Sequence, residues 1–141
     1  MSATPAFAVT PRIGYNRAIA AMDNAVDGSV LTGLVAVLVA GASGTRVDRV
    51  VIVNLEPVGV NTAATPQVYR FYVQTGADYR MVLELTGGAI AQRTTSAAGY
   101  QQTVYLSPAL VLPAGYTLYA GITKRAAASD NTDFIAFGAD L

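Results

Sequence analysis

The chain has 141 residues, the usual size of one domain, and only 13% of them are charged, where an ordinary soluble domain has about 25%. Nine basic and nine acidic residues cancel, which argues against the clustered positive charge that nucleic acid or an anionic membrane attracts. Histidine and cysteine are both absent, and this excludes Ser-His and Cys-His catalytic groups as well as ordinary zinc sites.

The hydrophobic segments are short and rich in Val, Ile, Tyr, Phe and Thr, and clusters of Gly, Pro, Asn and Asp separate them. This pattern predicts about eight β-strands and no helix of ordinary length. After an extended arm or first strand over residues 7–13, we expect strands over residues 15–21, 29–40, 46–55, 68–75, 79–86, 100–106, 116–124 and 132–137. Residues 108–112 are expected to lead from the strand before them into a turn.

The strand count and the spacing of the turns predict one all-β domain over residues 1–141, an antiparallel β-sandwich of about eight strands. A jelly-roll-like sandwich is the first expectation, and another Greek key is the alternative. Residues 1–14 are expected to include an extended arm that contacts a neighbouring chain. Pro11 biases Thr10 towards extended geometry, and Phe7, Val9 and Pro11 offer apolar contacts.

Two features that resemble catalytic or phosphate sites are better explained as structure. Glu56 and Glu84 are the two glutamates, but Glu84 lies in an alternating strand and Glu56 leads into a Pro-bounded loop, which does not favour a glycosidase pair. The run from Gly41 to Thr45 lacks the lysine and the following helix of a phosphate-binding loop, so we expect a tight connection between strands. The sequence therefore predicts neither an enzyme nor a cofactor.

Four aspartates in or beside predicted loops are the candidates for a calcium site, namely Asp23, Asp27, Asp130 and Asp133. They do not have the spacing of an EF-hand loop that ends in glutamate. Capping of turns by their side chains is the better explanation, and no bound metal is expected.

The strand over residues 68–75 alternates, so that Arg70, Tyr72 and Gln74 share the face opposite its apolar residues. An exposed tyrosine combines apolar area with a hydroxyl, which suits a subunit contact first and the stacking of a sugar ring second. The low charge also favours a chain that its neighbours cover. The candidate interface residues are Phe7, Val9, Pro11, Arg70, Tyr72 and Gln74.

Five local patterns occur together in the chain: Thr10-Pro11-Arg12-Ile13, Asp27-Gly28-Ser29, residues 40–50 (AGASGTRVDRV), residues 110–118 (LVLPAGYTL) and residues 134–141 (FIAFGADL). Together they resemble a family of small, mostly uncharacterised proteins encoded among the structural genes of tailed bacteriophages and prophages. The resemblance runs nearly end to end, and it brings no catalytic residues with it.

The resemblance implies a non-enzymatic virion structural protein, most simply a decoration or cement protein on the outer surface of the head. Its partners would be the major capsid protein or other virion proteins, and it would be a homo-oligomer, with a trimer as the first expectation. It would be present in the host cytoplasm during assembly, with no nucleic acid and no membrane as partner. A tail, baseplate or connector component is one alternative, and a carbohydrate-binding module for host adhesion is another.

Overall fold

A computed structural model describes residues 10–22, 32–55, 68–87, 101–123 and 131–141. The described residues form eight strands, and no helix that could cross a membrane occurs among them. The strands are β1 Thr10–Ala18, β2 Val35–Val39, β3 Thr45–Leu55, β4 Val68–Thr75, β5 Asp78–Thr86, β6 Gln101–Leu112, β7 Thr117–Ile122 and β8 Asn131–Asp140.

The strands form two antiparallel sheets of four, which confirms the predicted β-sandwich. Sheet I has the strand order β1-β8-β3-β6, and sheet II has the order β2-β7-β4-β5. Outwards from the central hairpin β4–β5, β3 pairs with β6, β2 with β7 and β1 with β8. This nesting, a long hairpin rolled into two sheets, is the jelly-roll arrangement that the sequence favoured.

Several strand boundaries differ from those that the sequence predicts, and three of the differences have a clear structural reason. The predicted break between residues 13 and 15 is wrong, because β1 continues through Gly14. Glycine is needed there since a Cβ atom would collide with the carbonyl oxygen of Val37. Of residues 29–40, only Val35–Val39 are a strand within the described part, because Gly33 has a φ of 79° and lies in a turn. Residues 101–112 are one strand, because Pro108 lies on the edge strand β6, where a missing N–H is tolerated.

The structure describes only the last five residues of the predicted arm over residues 1–14. Residues 10–14 belong to β1 and pair with β8, from Thr10 opposite Asp140 onwards. Residues 1–9, with Phe7 and Val9, lie outside the described residues.

The core lies between the two sheets and is built from side chains that alternate along each strand. Phe134 of β8 lies at its centre and makes edge-on ring contacts with Tyr69 and Phe71 of β4, at centroid distances of 6.2 and 5.5 Å. All three side chains are buried. Rings in this orientation contribute about 0.5–1.5 kcal/mol per pair beyond the area that they bury.

A hydrogen-bonded cluster fixes one end of the sandwich, where the start of β1, the start of β3 and the end of β8 meet. The Thr45 hydroxyl donates to one carboxylate oxygen of Asp140 at 2.6 Å, and Arg12 donates to the other at 2.7 Å. The Gly41 amide donates to Thr45 Oγ1, and a side chain at Gly41 would collide with the Asp140 carboxylate. The Thr45 and Arg12 hydrogen bonds hold the pKa of Asp140 below its ordinary value.

This cluster brings together residues from several of the local sequence patterns. Arg12, Gly41, Thr45 and Asp140 come from three of those motifs, which are far apart in the sequence and meet at this end of the sandwich. The fourth described motif is adjacent, since Leu112 pairs with Thr45. Residues of these four motifs therefore help to hold this end of the sandwich together.

Candidate protein-interaction face

The outward face of sheet I is a continuous surface to which all four strands contribute. In β8, Phe134 and Ala136 point into the core, so Ile135 and Phe137 point outwards.

The register then sets outward residues of the four strands side by side in rows. The two middle rows are Ile13, Phe137, Arg49 and Tyr105, and Tyr15, Ile135, Val51 and Thr103. The two end rows are Pro11, Ala139, Arg46 and Val111, and Arg17, Asp133, Val53 and Gln101.

Apolar side chains dominate this surface, which we call the open face. On the edge strand β1, Ile13 is 63% and Tyr15 is 78% exposed, and on the opposite edge strand β6, Tyr105 is 71% and Val111 is 53% exposed. Between them, Ile135 and Phe137 are half-buried and Val51 is buried among its neighbours. Isolated exposed apolar residues are normal on a protein, but a contiguous patch across a whole sheet marks an interaction surface.

The charged groups of the open face lie mainly at its two ends, and they are paired within the chain. Arg17 bonds to both carboxylate oxygens of Asp133, at 2.6 and 3.0 Å. The hydrogen bond to the Asp133 carboxylate and the charge of that group raise the pKa of Arg17. At the other end, Arg46 contacts Asp48 at 2.8 Å. The middle of the face therefore presents one cation, Arg49.

Arg49 packs over an aromatic ring of the open face. Its guanidinium carbon is 4.2 Å from the centre of the Phe137 ring, within the range of a cation–π interaction. A guanidinium is more weakly hydrated than an ammonium group, so it costs less free energy to bury in a contact between proteins.

The outward face of sheet II differs, because the chain itself packs onto it. Met22 and Tyr72 are buried there, and Leu34, Tyr79 and Tyr119 pack around them. The Met22 amide donates to the carbonyl of Ile122, which ties this segment to the end of β7. We call this surface the covered face.

The predicted interface residues of β4 lie on the covered face. Arg70, Tyr72 and Gln74 share one side of the strand, as the sequence indicates, but the expectation that Tyr72 is exposed is wrong: its side chain is 1% exposed, under Met22. Burial raises the pKa of its phenol, and the nearby charge of Arg70 partly offsets this rise. Arg70 contacts Glu84 on β5 at 2.6 Å, and Gln74 donates to the carbonyl of Gly76.

The other predicted interface residues are at the N-terminal end. Pro11 is exposed and lies in an end row of the open face, beside Ala139. The structure thus separates Pro11 from the residues of β4, since the two groups lie on opposite sheets. Phe7 and Val9 fall outside the described residues.

The groups considered for chemistry are engaged in structural contacts wherever they are described. Glu84 is bonded to Arg70 and Asp133 to Arg17, while Glu56, Asp23, Asp27 and Asp130 lie outside the described residues. Within the described ranges, no three His, Cys, Asp or Glu side chains are grouped as metal ligands. Residues 41–44 form a turn between β2 and β3, in which the Gly44 amide donates to the Gly41 carbonyl, as predicted.

An apolar crevice of about 260 Å³ opens between the two sheets on the side where β5 and β6 form the edges. Its described lining includes Val50, Val82, Leu106 and Leu110, and every described lining residue is apolar. Substrate sites combine such a lining with a few polar groups that orient the ligand. The described part of this crevice therefore does not have the composition of a catalytic pocket.

Sequence reasoning missed the open face, although two signals for it are present. The run Val50, Val51, Ile52, Val53 has no polar alternation, which is typical of a strand with apolar neighbours on both sides. In β1, Ile13 and Tyr15 alternate at the period of a strand. The assumed break between residues 13 and 15 divided that second pattern between two segments.

No family model matches the chain, and neither the curated proteins nor the solved structures include a match to it.

Proposed function

We propose that this chain is a non-enzymatic structural subunit of a tailed-bacteriophage particle, and within it a decoration protein that binds the outside of the assembled head. The observation that carries the proposal is the open face, where four adjacent strands present Ile13, Tyr15, Tyr105 and Val111 to solvent. Aromatic and aliphatic groups with a single central cation are typical of the middle of a protein–protein interface.

Three further features support this proposal. The chain has few charges and neither histidine nor cysteine, so it is suited to contact rather than to chemistry. Arg12, Thr45 and Asp140, which belong to motifs that resemble phage structural proteins, hold the strand ends together. A rigid sandwich with one large apolar face can be repeated over a symmetric shell, where many modest contacts add to a high avidity.

The test is cosedimentation of the purified protein with empty heads of the phage that encodes it. We expect the protein to pellet with heads and to remain in the supernatant without them. Pelleting with isolated tails but not with heads would replace this proposal by the tail or baseplate alternative. Absence of pelleting with either, together with turnover of a small molecule, would refute it.

The N-terminal arm is part of the proposal and has its own test. Deletion of residues 1–9 leaves β1 intact, because the strand begins at Thr10. We expect the shortened protein to fold, as measured by its circular dichroism and melting temperature, and to lose binding to heads. Unchanged binding would remove Phe7 and Val9 from the contact.

The carbohydrate-binding alternative has less support than it has from the sequence alone. It depended on stacking of a sugar ring on Tyr72, and that ring is buried. Binding of the isolated domain to a glycan array, with the signal lost on Tyr15→Ala, would restore this alternative on the open face instead.

A further inference from the structure

We propose that the open face is occupied by a second copy of this chain, and that the two copies pack sheet on sheet about a two-fold axis that runs parallel to the strands of sheet I. This inference rests on the proposed function only in taking the open face as a surface that another protein chain covers. A second copy that covers the open face leaves the rest of each chain's surface for the phage head, so the two proposals can fail separately.

The size of the face is the first argument. Strands lie about 4.8 Å apart and rise about 3.4 Å per residue, so four strands over the nine residues of β1 cover roughly 600 Å² in projection. Two such faces in contact bury about 1,200 Å² together, which reaches the lower limit for a specific protein–protein interface. One copy therefore supplies enough area to cover the other.

The arrangement of side chains is the second argument. A two-fold axis parallel to the strands places β1 of one copy against β6 of the other, and β8 against β3. Each row of the face then meets the same row of the partner in reverse order. In the row at the level of Phe137, Ile13 faces Tyr105 and Phe137 faces Arg49. Each guanidinium lies between its own Phe137 ring and that of the second copy, which extends a contact already present at 4.2 Å.

The charges of the end rows agree with this arrangement. In the reversed order, Arg17 faces Gln101 and Asp133 faces Val53. At the other end, Arg46 faces Ala139. In these two end rows no like charges therefore stand directly opposite each other, and Arg17 and Arg46 keep their carboxylate partners within their own chain. Opposition of like charges would disfavour association.

The second possible axis gives a different set of contacts. A two-fold axis across the strands places each strand against its own copy, so that Arg49 faces Val51 and Ile13 faces Tyr15. That arrangement buries the guanidinium against an aliphatic side chain and gains no aromatic contact for it. We therefore favour the axis along the strands, and the pairing of Ile13 with Tyr105 distinguishes the two.

The first experiment measures mass in solution by sedimentation velocity, from about 1 µM to about 1 mM protein, which spans the Kd values usual for a small interface. We expect the wild type to reach twice the 14.6 kDa mass of the chain, and Ile13→Glu and Tyr105→Glu to remain at the mass of one chain. Val39→Glu is the matched control, because Val39 is an exposed apolar residue of sheet II, and it should keep the doubled mass.

The second experiment tests the axis and uses the absence of cysteine from the chain. Ile13→Cys and Tyr105→Cys proteins, each with one cysteine, are mixed and treated with a short bismaleimide. We expect cross-linked dimers in the mixture at several times the yield of either protein alone. A mixture of Val39→Cys and Val82→Cys proteins should show only the background yield, because these positions lie outside the open face.

Each other result contradicts the proposal. A wild-type protein that stays at the mass of one chain, or a doubled mass that survives Ile13→Glu, shows that a second copy does not occupy this face. A mass of three chains excludes the two-fold axis, and cross-linking of Ile13→Cys mainly to itself indicates the other axis. A single-chain mass with binding to heads would overturn this inference alone, whereas a dimer without binding to heads would overturn the proposed function alone.

Discussion

The two outward faces of the sandwich are both apolar in part, but the chain covers only one of them in the described structure. On sheet II, Met22 and Leu34 lie over Tyr72 and Tyr119. On sheet I, Ile13 and Tyr15 project into solvent. The same type of surface is thus part of the domain's own core on one side and available for contact on the other. The comparison shows that the composition of a strand does not decide whether its outward side chains serve folding or binding.

The largest expected difference between the two faces is in stability. Tyr72→Ala removes a buried ring from the covered face and should lower the free energy of unfolding by about 3–5 kcal/mol. Tyr15→Ala removes the same atoms from the open face and should change it by less than about 0.5 kcal/mol in the monomer. Urea unfolding at low protein concentration measures both. Equal losses would mean that the two faces are equivalent in the folded chain.

The second prediction tests the segment that covers sheet II. Gly121 lies below it, and a Cβ atom there would come within 2.8 Å of the Met22 sulfur and of Leu34 Cδ2. Those two atoms are ends of flexible side chains, while Met22 Cβ would lie 3.1 Å away, so Gly121→Ala should cost about 1–3 kcal/mol, as other overpacked sites do. The loss should be smaller when it is introduced into a Met22→Ala background. Equal losses in the two backgrounds would show that Met22 does not press on this position.

The sequence predicts the framework of this fold well and the roles of its surfaces poorly. Alternation and turn residues are local signals, and they place β4, β5 and most of β3 and β8. Whether Tyr72 is exposed depends on Met22 and Leu34, which lie far away in the sequence, and no local pattern reports such a contact. Gly14 led to the wrong boundary of β1 for a related reason. An isolated glycine usually suggests a turn, whereas here its missing side chain permits the close approach of β2.

The third prediction concerns the start of β1, the edge strand that presents Ile13 and Tyr15. Asp140 binds Thr45 and Arg12, and its pKa lies below the ordinary value of 3.8. A lowered pKa in the folded state means that the carboxylate stabilises the fold above the ordinary pKa. This contribution is lost as the pH falls through the folded value. Asp140→Asn should therefore be less stable than the wild type near neutral pH, and the difference should shrink between about pH 5 and about pH 2.

Urea unfolding at a series of pH values measures this difference. The matched control is Asp78→Asn. Asp78 is well exposed, and its ion pair with Arg80 is long, at 3.9 Å between the Arg80 nitrogen and the carboxylate oxygen. It should show little difference from the wild type at any pH. A pH-independent effect of Asp140→Asn would mean that the shape of the side chain, and not its charge, holds this end of the sandwich.

The smallest expected effect lies in the middle of the open face, in the contact between Arg49 and Phe137. A double-mutant cycle of Arg49→Gln and Phe137→Leu should give a coupling of about 0.5–1 kcal/mol in the monomer, the usual value for an exposed cation–π pair. The matched cycle of Arg49→Gln with Tyr105→Leu uses the cross-strand neighbour of Arg49 and should give a smaller coupling. If the two couplings are equal, Arg49 is held by the apolar surface in general rather than by this ring. The contact is worth measuring despite its size, because a guanidinium already placed on an aromatic ring keeps a favourable partner when water is removed from the face.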